Sequence, residues 1–103
     1  MADTETKFRA RIAPNNKIKE PNQYRVIYIN DEVTTMEFVV ETLKIIFNYD
    51  DTGAEAITHK IHEAGSAVVA VLPYEIAEQK GVEATLLARN NGFPLQIKLE
   101  IET

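Results

Sequence analysis

The chain has 103 residues, 45% of them apolar and 26% charged, which supplies one core and leaves no room for two domains. Sixteen acidic residues against eleven basic ones give a formal charge of −5, which argues against a nucleic-acid binder and accommodates a cationic or neutral partner. There are no cysteines, so disulfides, thiolate metal sites and thiol catalysis are excluded. No apolar run is long enough to span a bilayer, and Met1 to Arg11 lacks the apolar centre of a signal peptide. A cytoplasmic protein is expected.

Met1 to Pro21 is rich in Lys, Glu, Asn and Thr and shows no sustained period, so residues 1–22 read as a flexible arm and 23–103 as the core domain. Tyr24 to Ile29 is β-branched and aromatic and reads as a buried strand. Thr34 and Glu37 fit a capping box. The helix after it puts Met36, Val39, Val40, Leu43 and Phe47 on one apolar face, with Met36 facing inward. Asn48 to Asp51 is a turn. Thr52 and Glu55 offer a second capping box for a helix carrying Ala54, Ile57, Ile61 and Ala64 on one side and ending at Gly65. Ser66 to Leu72 is a second strand. Pro73 and Tyr74 open a third helix that runs to about Asn90, with Gly81 as a weak point that neighbouring packing must offset. Asn91-Gly92 ends it, and Leu95 to Ile101 alternates as a half-buried last strand. The order is β-α-α-β-α-β. Three strands with helices packed on one face predict a small α+β fold.

Few residues offer chemistry. Four unclustered glycines make no phosphate loop, and the one serine, Ser66, opens a core strand without an evident base. His59 and His62 stand three apart on a helix, but a third or fourth metal ligand is not evident. No catalytic residue, metal site or cofactor follows. More informative is the junction where a buried strand ends in Asn30-Asp31 and a capped helix begins. Thr58, Ile61 and His62 cluster on the second helix. With the two helices side by side, an amide, a carboxylate and an imidazole ring a pocket lined by Met36, Ile61 and a residue of the last strand. Such acceptors suit an ammonium, which has three donors and no acceptor. Capture of a peptide N-terminus is a recognised binding mode, and an apolar pocket beside it reads the first side chain. Each piece also has a plainer meaning. Asn-Asp is common turn chemistry, a histidine near a helix C-terminus satisfies the dipole, and a methionine on an apolar face fills a core. Periodicity does not choose between these readings. A general docking domain without an amine pocket stays open, as does a small hydrolase or metal enzyme.

Taken together, YRVIYINDEVTTMEFVVETL, HEAG, AVVAVLPYEIAEQK, ARNNGFPL and the terminal strand resemble the ClpS family over Gln23 to Thr103. The resemblance implies a non-enzymatic adaptor of the bacterial N-degron pathway. It binds substrates that begin with Leu, Phe, Tyr or Trp and delivers them to the ClpA unfoldase of the ClpAP protease. It implies a three-stranded antiparallel sheet packed against three helices, similar to the C-terminal domain of the ribosomal stalk protein. The sequence leaves the oligomeric state open, with a monomer favoured. Asn30, Asp31 and His62 match the groups that hold the α-amino group. Thr34 matches the pocket rim, Met36 the gatekeeper against β-branched first residues, Ile61 and Leu95 the walls, and Val39 falls near the floor. Glu75 and Lys80 match residues that touch the ClpA N-terminal domain, and the arm before Gln23 matches a tail that engages the unfoldase. Three positions depart from the pattern. Thr35 replaces a usual Pro, Pro73 a common capping Thr, and Thr58 a pocket-lining Met.

Overall fold

A run of β-branched and aromatic side chains is best buried in the middle of a sheet, where both edges are paired. In the computed structural model, which describes residues 22–103, that run is β1 (Gln23–Ile29). It pairs antiparallel with β2 (Ser66–Pro73) on one edge and β3 (Gln96–Ile101) on the other, giving the order β2-β1-β3. The helices are α1 (Met36–Phe47), α2 (Asp51–Ala64) and α3 (Tyr74–Asn90). The observed β-α-α-β-α-β order and antiparallel sheet are those expected from the sequence. The proposed arm, but for its last residue, lies outside the described residues. No helix among the described residues is long and apolar enough to cross a membrane.

The period of two along β1 decides what it buries. Val26 and Tyr28 are fully buried, while Arg25 and Ile27 are only half-buried. Val26 faces Ala70 and Ile27 faces Val68, so Val69 is the extra residue of a bulge in β2. The Tyr49 hydroxyl donates to the Val69 carbonyl at 2.6 Å, which gives that irregular backbone a side-chain partner. Val39, Leu43 and Ile46 of α1, Ala54 and Ile61 of α2, and Ala77, Ala84 and Ala88 of α3 complete the core. The Thr42 hydroxyl donates to the Val39 carbonyl at 2.8 Å. Its single proton is therefore used, and the Tyr28 hydroxyl, 2.8 Å away, is the donor to Thr42. Burial pushes the Tyr28 phenol up to about 12, against the lowering effect of its bond to Thr42.

The helix starts differ from the capping boxes read in the sequence. Thr35, not Thr34, caps α1 and accepts from the Phe38 N–H at 3.1 Å. Asp50, not Thr52, caps α2 and accepts from the Gly53 N–H at 2.7 Å. In both cases a second capping-competent residue stands close by, and the chain entering from the strand or turn determines which one has extended backbone at the cap. Pro73 precedes α3 and makes no side-chain cap bond.

Candidate ligand-binding site

The site is built where the central strand runs out. Ile29 pairs with Ser66 on one edge and Gln96 on the other, so Asn30 emerges between Gly65 and Leu95. The Asn30 N–H donates to the Gly65 carbonyl at 2.9 Å. Gly65 ends α2 with φ 91°, in the left-handed region that glycine adopts without a Cβ penalty, and its N–H donates to the Ile61 carbonyl at 2.9 Å. His62 belongs to that same last turn of α2. The amide-bearing residue at the strand end and the imidazole-bearing helix end are thus tied by backbone, on one side of the molecule.

Asp31 organises the turn that follows. Its Oδ1 accepts from the N–H groups of Val33 at 2.8 Å and Thr34 at 2.7 Å, and the Thr34 hydroxyl donates to its Oδ2 at 2.8 Å. Desolvation is the largest single influence on this carboxyl and pushes it up. The hydrogen bonds from Thr34 and Val33 and the Arg89 charge together outweigh it and hold the group below its ordinary range. Asp31 is therefore an anion with one face occupied by its own loop. A carboxylate offers about four lone-pair directions, so capacity for a further donor remains.

Beyond the turn, a cleft of about 290 Å³ opens between α1 and α2. Met36 and Val40 line it from α1, and Thr58 and His59 from α2. Glu37, Glu41 and Glu55 rim it, a distribution of charge that attracts cations. Met36, expected to face inward, is 36% exposed because it sits on this open edge at the first residue of α1. Val39, Ile61 and Leu95, expected to line the pocket, are packed in the core at 6%, 3% and 1% exposure and do not line this cleft.

Residues 19–98 match the family of the ATP-dependent Clp protease adaptor protein ClpS. The ClpS of Treponema denticola is 44% identical over 86 residues, covering 84% of this chain and 85% of that protein. The ClpS of Clostridium acetobutylicum is 42% identical over 94 residues, covering 91% and 93%. The solved structure of Agrobacterium tumefaciens ClpS2, bound to L-phenylalaninamide, superposes with a TM-score of 0.79 at 40% identity, covering 81% of this chain and all of that one. This chain belongs to the ClpS family.

As a ClpS-family chain it is an adaptor of a Clp protease rather than a protease itself. Glu75 and Lys80, the residues expected from the sequence to meet a partner, lie on α3. Glu75 is exposed in its first turn, where a negative charge complements the helix dipole. Lys80 is half-buried: its Nζ donates to the Ile46 carbonyl at 2.9 Å and lies 5.9 Å from the Phe47 ring centre, so it also closes the C-terminal end of α1. Thr35, expected to stand where a proline is usual, supplies the hydroxyl that caps α1.

Among the residues expected at the site, the structure gathers them in three groups. Asn30 joins the end of α2 that carries His62, Thr34 joins Asp31, and Met36 and Thr58 share the cleft. No hydrogen bond links the Asn30 or His62 side chain to another described residue. Sequence reasoning did not find Val40, Glu37, Glu41, Glu55 or His59 as cleft residues. The i, i+4 pairs Met36/Val40 and Glu37/Glu41 carry the signal, but only the pairing of α1 with α2 says which border faces the gap. Arg89 was also missed. Its Nη1 donates to the carbonyls of Phe93 at 3.0 Å and Leu95 at 2.8 Å, fixing the loop that delivers Leu95 beside the strand end.

Proposed function

We propose that this chain captures the N-terminal residue of substrate proteins, with Leu, Phe, Tyr or Trp in first place, and delivers them to the ClpA unfoldase of ClpAP. The single observation that carries the reading is the Asn30 N–H bond to Gly65, which ties the Asn30-Asp31 turn to the end of α2 that carries His62. The ammonium of a free N-terminus donates to the Asn30 amide oxygen, to Asp31 and to a neutral His62 nitrogen. The first side chain enters between α1 and α2, against Met36, Val39, Thr58, Ile61 and Leu95, with Thr34 at the rim. The L-phenylalaninamide in the A. tumefaciens relative, a free amine beside an aromatic side chain, supports this choice of ligand class.

The work is done by binding alone, without catalysis, in a cytoplasmic monomer. Glu75 and Lys80 present α3 to the ClpA N-terminal domain, and the arm before Gln23 engages the unfoldase during delivery. Burial of one Leu or Phe contributes about 1.5–3 kcal/mol. Each charge-assisted hydrogen bond contributes about 1.5–3 kcal/mol. Loss of translational and rotational freedom offsets much of this, leaving a complex on the order of micromolar.

The test is a fluorescence titration of the whole chain with two peptides that begin with Phe, one free and one N-acetylated. Acetylation removes the charge and adds bulk, so binding of the second peptide should be lost. Equal binding of both would refute amine capture and favour a general docking surface.

A further inference from the structure

Two threonines are buried in the helices, Thr42 at 0% and Thr58 at 2% exposure, and their hydroxyls fare differently. That of Thr42 gives its proton to the Val39 carbonyl and meets the Tyr28 hydroxyl. That of Thr58 is buried and has no hydrogen-bond partner among the described residues. A helical threonine usually gives its hydroxyl to the carbonyl three or four residues back, and this one does not. Buried polar groups are rarely left so, and an exception calls for a reason. Thr58 also forms part of the wall of the cleft between α1 and α2, across from Met36 and Val40. It stands one helical turn before His62, a spacing of about 5–6 Å between Cβ atoms.

We propose that Thr58 sets the preference among first residues, favouring a side chain with a hydroxyl at its tip, tyrosine, over phenylalanine of the same shape. The inference rests on the amine-capture reading above and names which occupant that site prefers. With the amine held by Asn30, Asp31 and His62, an aromatic first side chain extends along α2 toward Thr58. A phenyl ring there leaves the Thr58 hydroxyl without a partner. A phenol supplies one, and because each hydroxyl both donates and accepts, the bond forms in either sense. Thr58 has two accessible helical rotamers, so turning the hydroxyl toward the cleft requires no backbone movement. Met36 and Val40 make the rest of the wall apolar on the α1 side, while His59 and the three glutamates give the cleft its other polar groups. Substitutions at Thr58 separate a bond to Thr58 from one to those groups. A site that pairs with a ligand hydroxyl discriminates against the analogue that lacks it, because its own group is then left unpaired.

The experiment compares the affinity of the full chain for peptides identical except for residue one: Tyr, Phe and 4-methylphenylalanine. The expected result is tighter binding of the Tyr peptide than the Phe peptide by roughly three- to tenfold, the worth of one neutral hydrogen bond. The 4-methyl analogue, which has the size of tyrosine without the hydroxyl, should bind no better than Phe. In Thr58→Val the Tyr-to-Phe ratio should fall to near unity, and in Thr58→Ser it should persist. Equal binding of Tyr and Phe by the wild-type chain, or a 4-methyl peptide that matches Tyr, overturns the proposal even if a Thr58 variant does not fold. Those results leave amine capture standing, whereas failure of every free-amine peptide to bind, or binding of acetylated Phe as well as free Phe, removes both.

Discussion

The Asn30 N–H reaches the Gly65 carbonyl at 2.9 Å, one residue past the last pair that β1 makes with β2. This bond continues the ladder into the loop and so fixes the strand end to the end of α2. It also gives the first prediction its geometry. With the backbone bond supplied by the main chain, Asn30→Ala removes the side-chain acceptor without releasing the loop. The same holds for His62→Ala on the exposed face of α2. Each variant should keep its thermal midpoint within a few degrees yet bind a free-amine Phe peptide roughly ten- to a hundredfold more weakly. Calorimetric melting beside a peptide titration checks both halves.

Asp31 gives a prediction in acid. Its folded-state titration is depressed by the Thr34 and Val33 bonds and the Arg89 charge, which outweigh desolvation. A depressed carboxyl adds stability that is present above its unfolded value, about 3.9, and is lost as pH falls through the folded value. The turn should therefore hold while free carboxylates are already protonating and open only in stronger acid. A carboxyl-carbon NMR titration should give Asp31 a midpoint below the ordinary one, and a normal midpoint would show that the loop bonds are not formed in solution.

Tyr28 gives the opposite limb. Its phenol is pushed from the usual 10.0 up to about 12, chiefly by burial. A raised folded-state value adds stability that is fully present below the unfolded value and is lost as pH rises through the folded one. Between pH 10 and 12 the loss attributable to Tyr28 should be on the order of 2–3 kcal/mol. Urea midpoints across this range should fall more steeply for the wild-type chain than for Tyr28→Phe. The variant gives up its bond to Thr42, an effect of about 1 kcal/mol at neutral pH.

Gly81 is a test of packing. A Cβ built there meets Ile97 at 3.7 Å and Leu99 at 4.0 Å, ordinary contact distances, and no positive φ requires glycine. Gly81→Ala should therefore stabilise α3 by about 1 kcal/mol, the helix-propensity difference plus a small gain in contact. A raised urea midpoint with unchanged slope is the expected reading, and destabilisation would mean that α3 sits closer to β3 than described.

Period and punctuation in the sequence determined most of the architecture. Alternation in YRVIYI made a central strand, Gly65 and Asn91-Gly92 ended two helices, and the apolar spacings of α1 and α2 marked the faces they bury. These are local properties, set by how far side chains project and which backbone angles a residue tolerates. What tertiary structure alone decided is long-range. The cleft between α1 and α2 depended on which borders of two helices confront each other. That Thr42 gains a second hydrogen bond depended on Tyr28, which reaches it from the sheet, while no described residue hydrogen-bonds the Thr58 hydroxyl. Hydrogen-bond partners far apart in the chain leave no periodic trace, because their meeting is set by the packing of whole elements rather than by spacing along one of them.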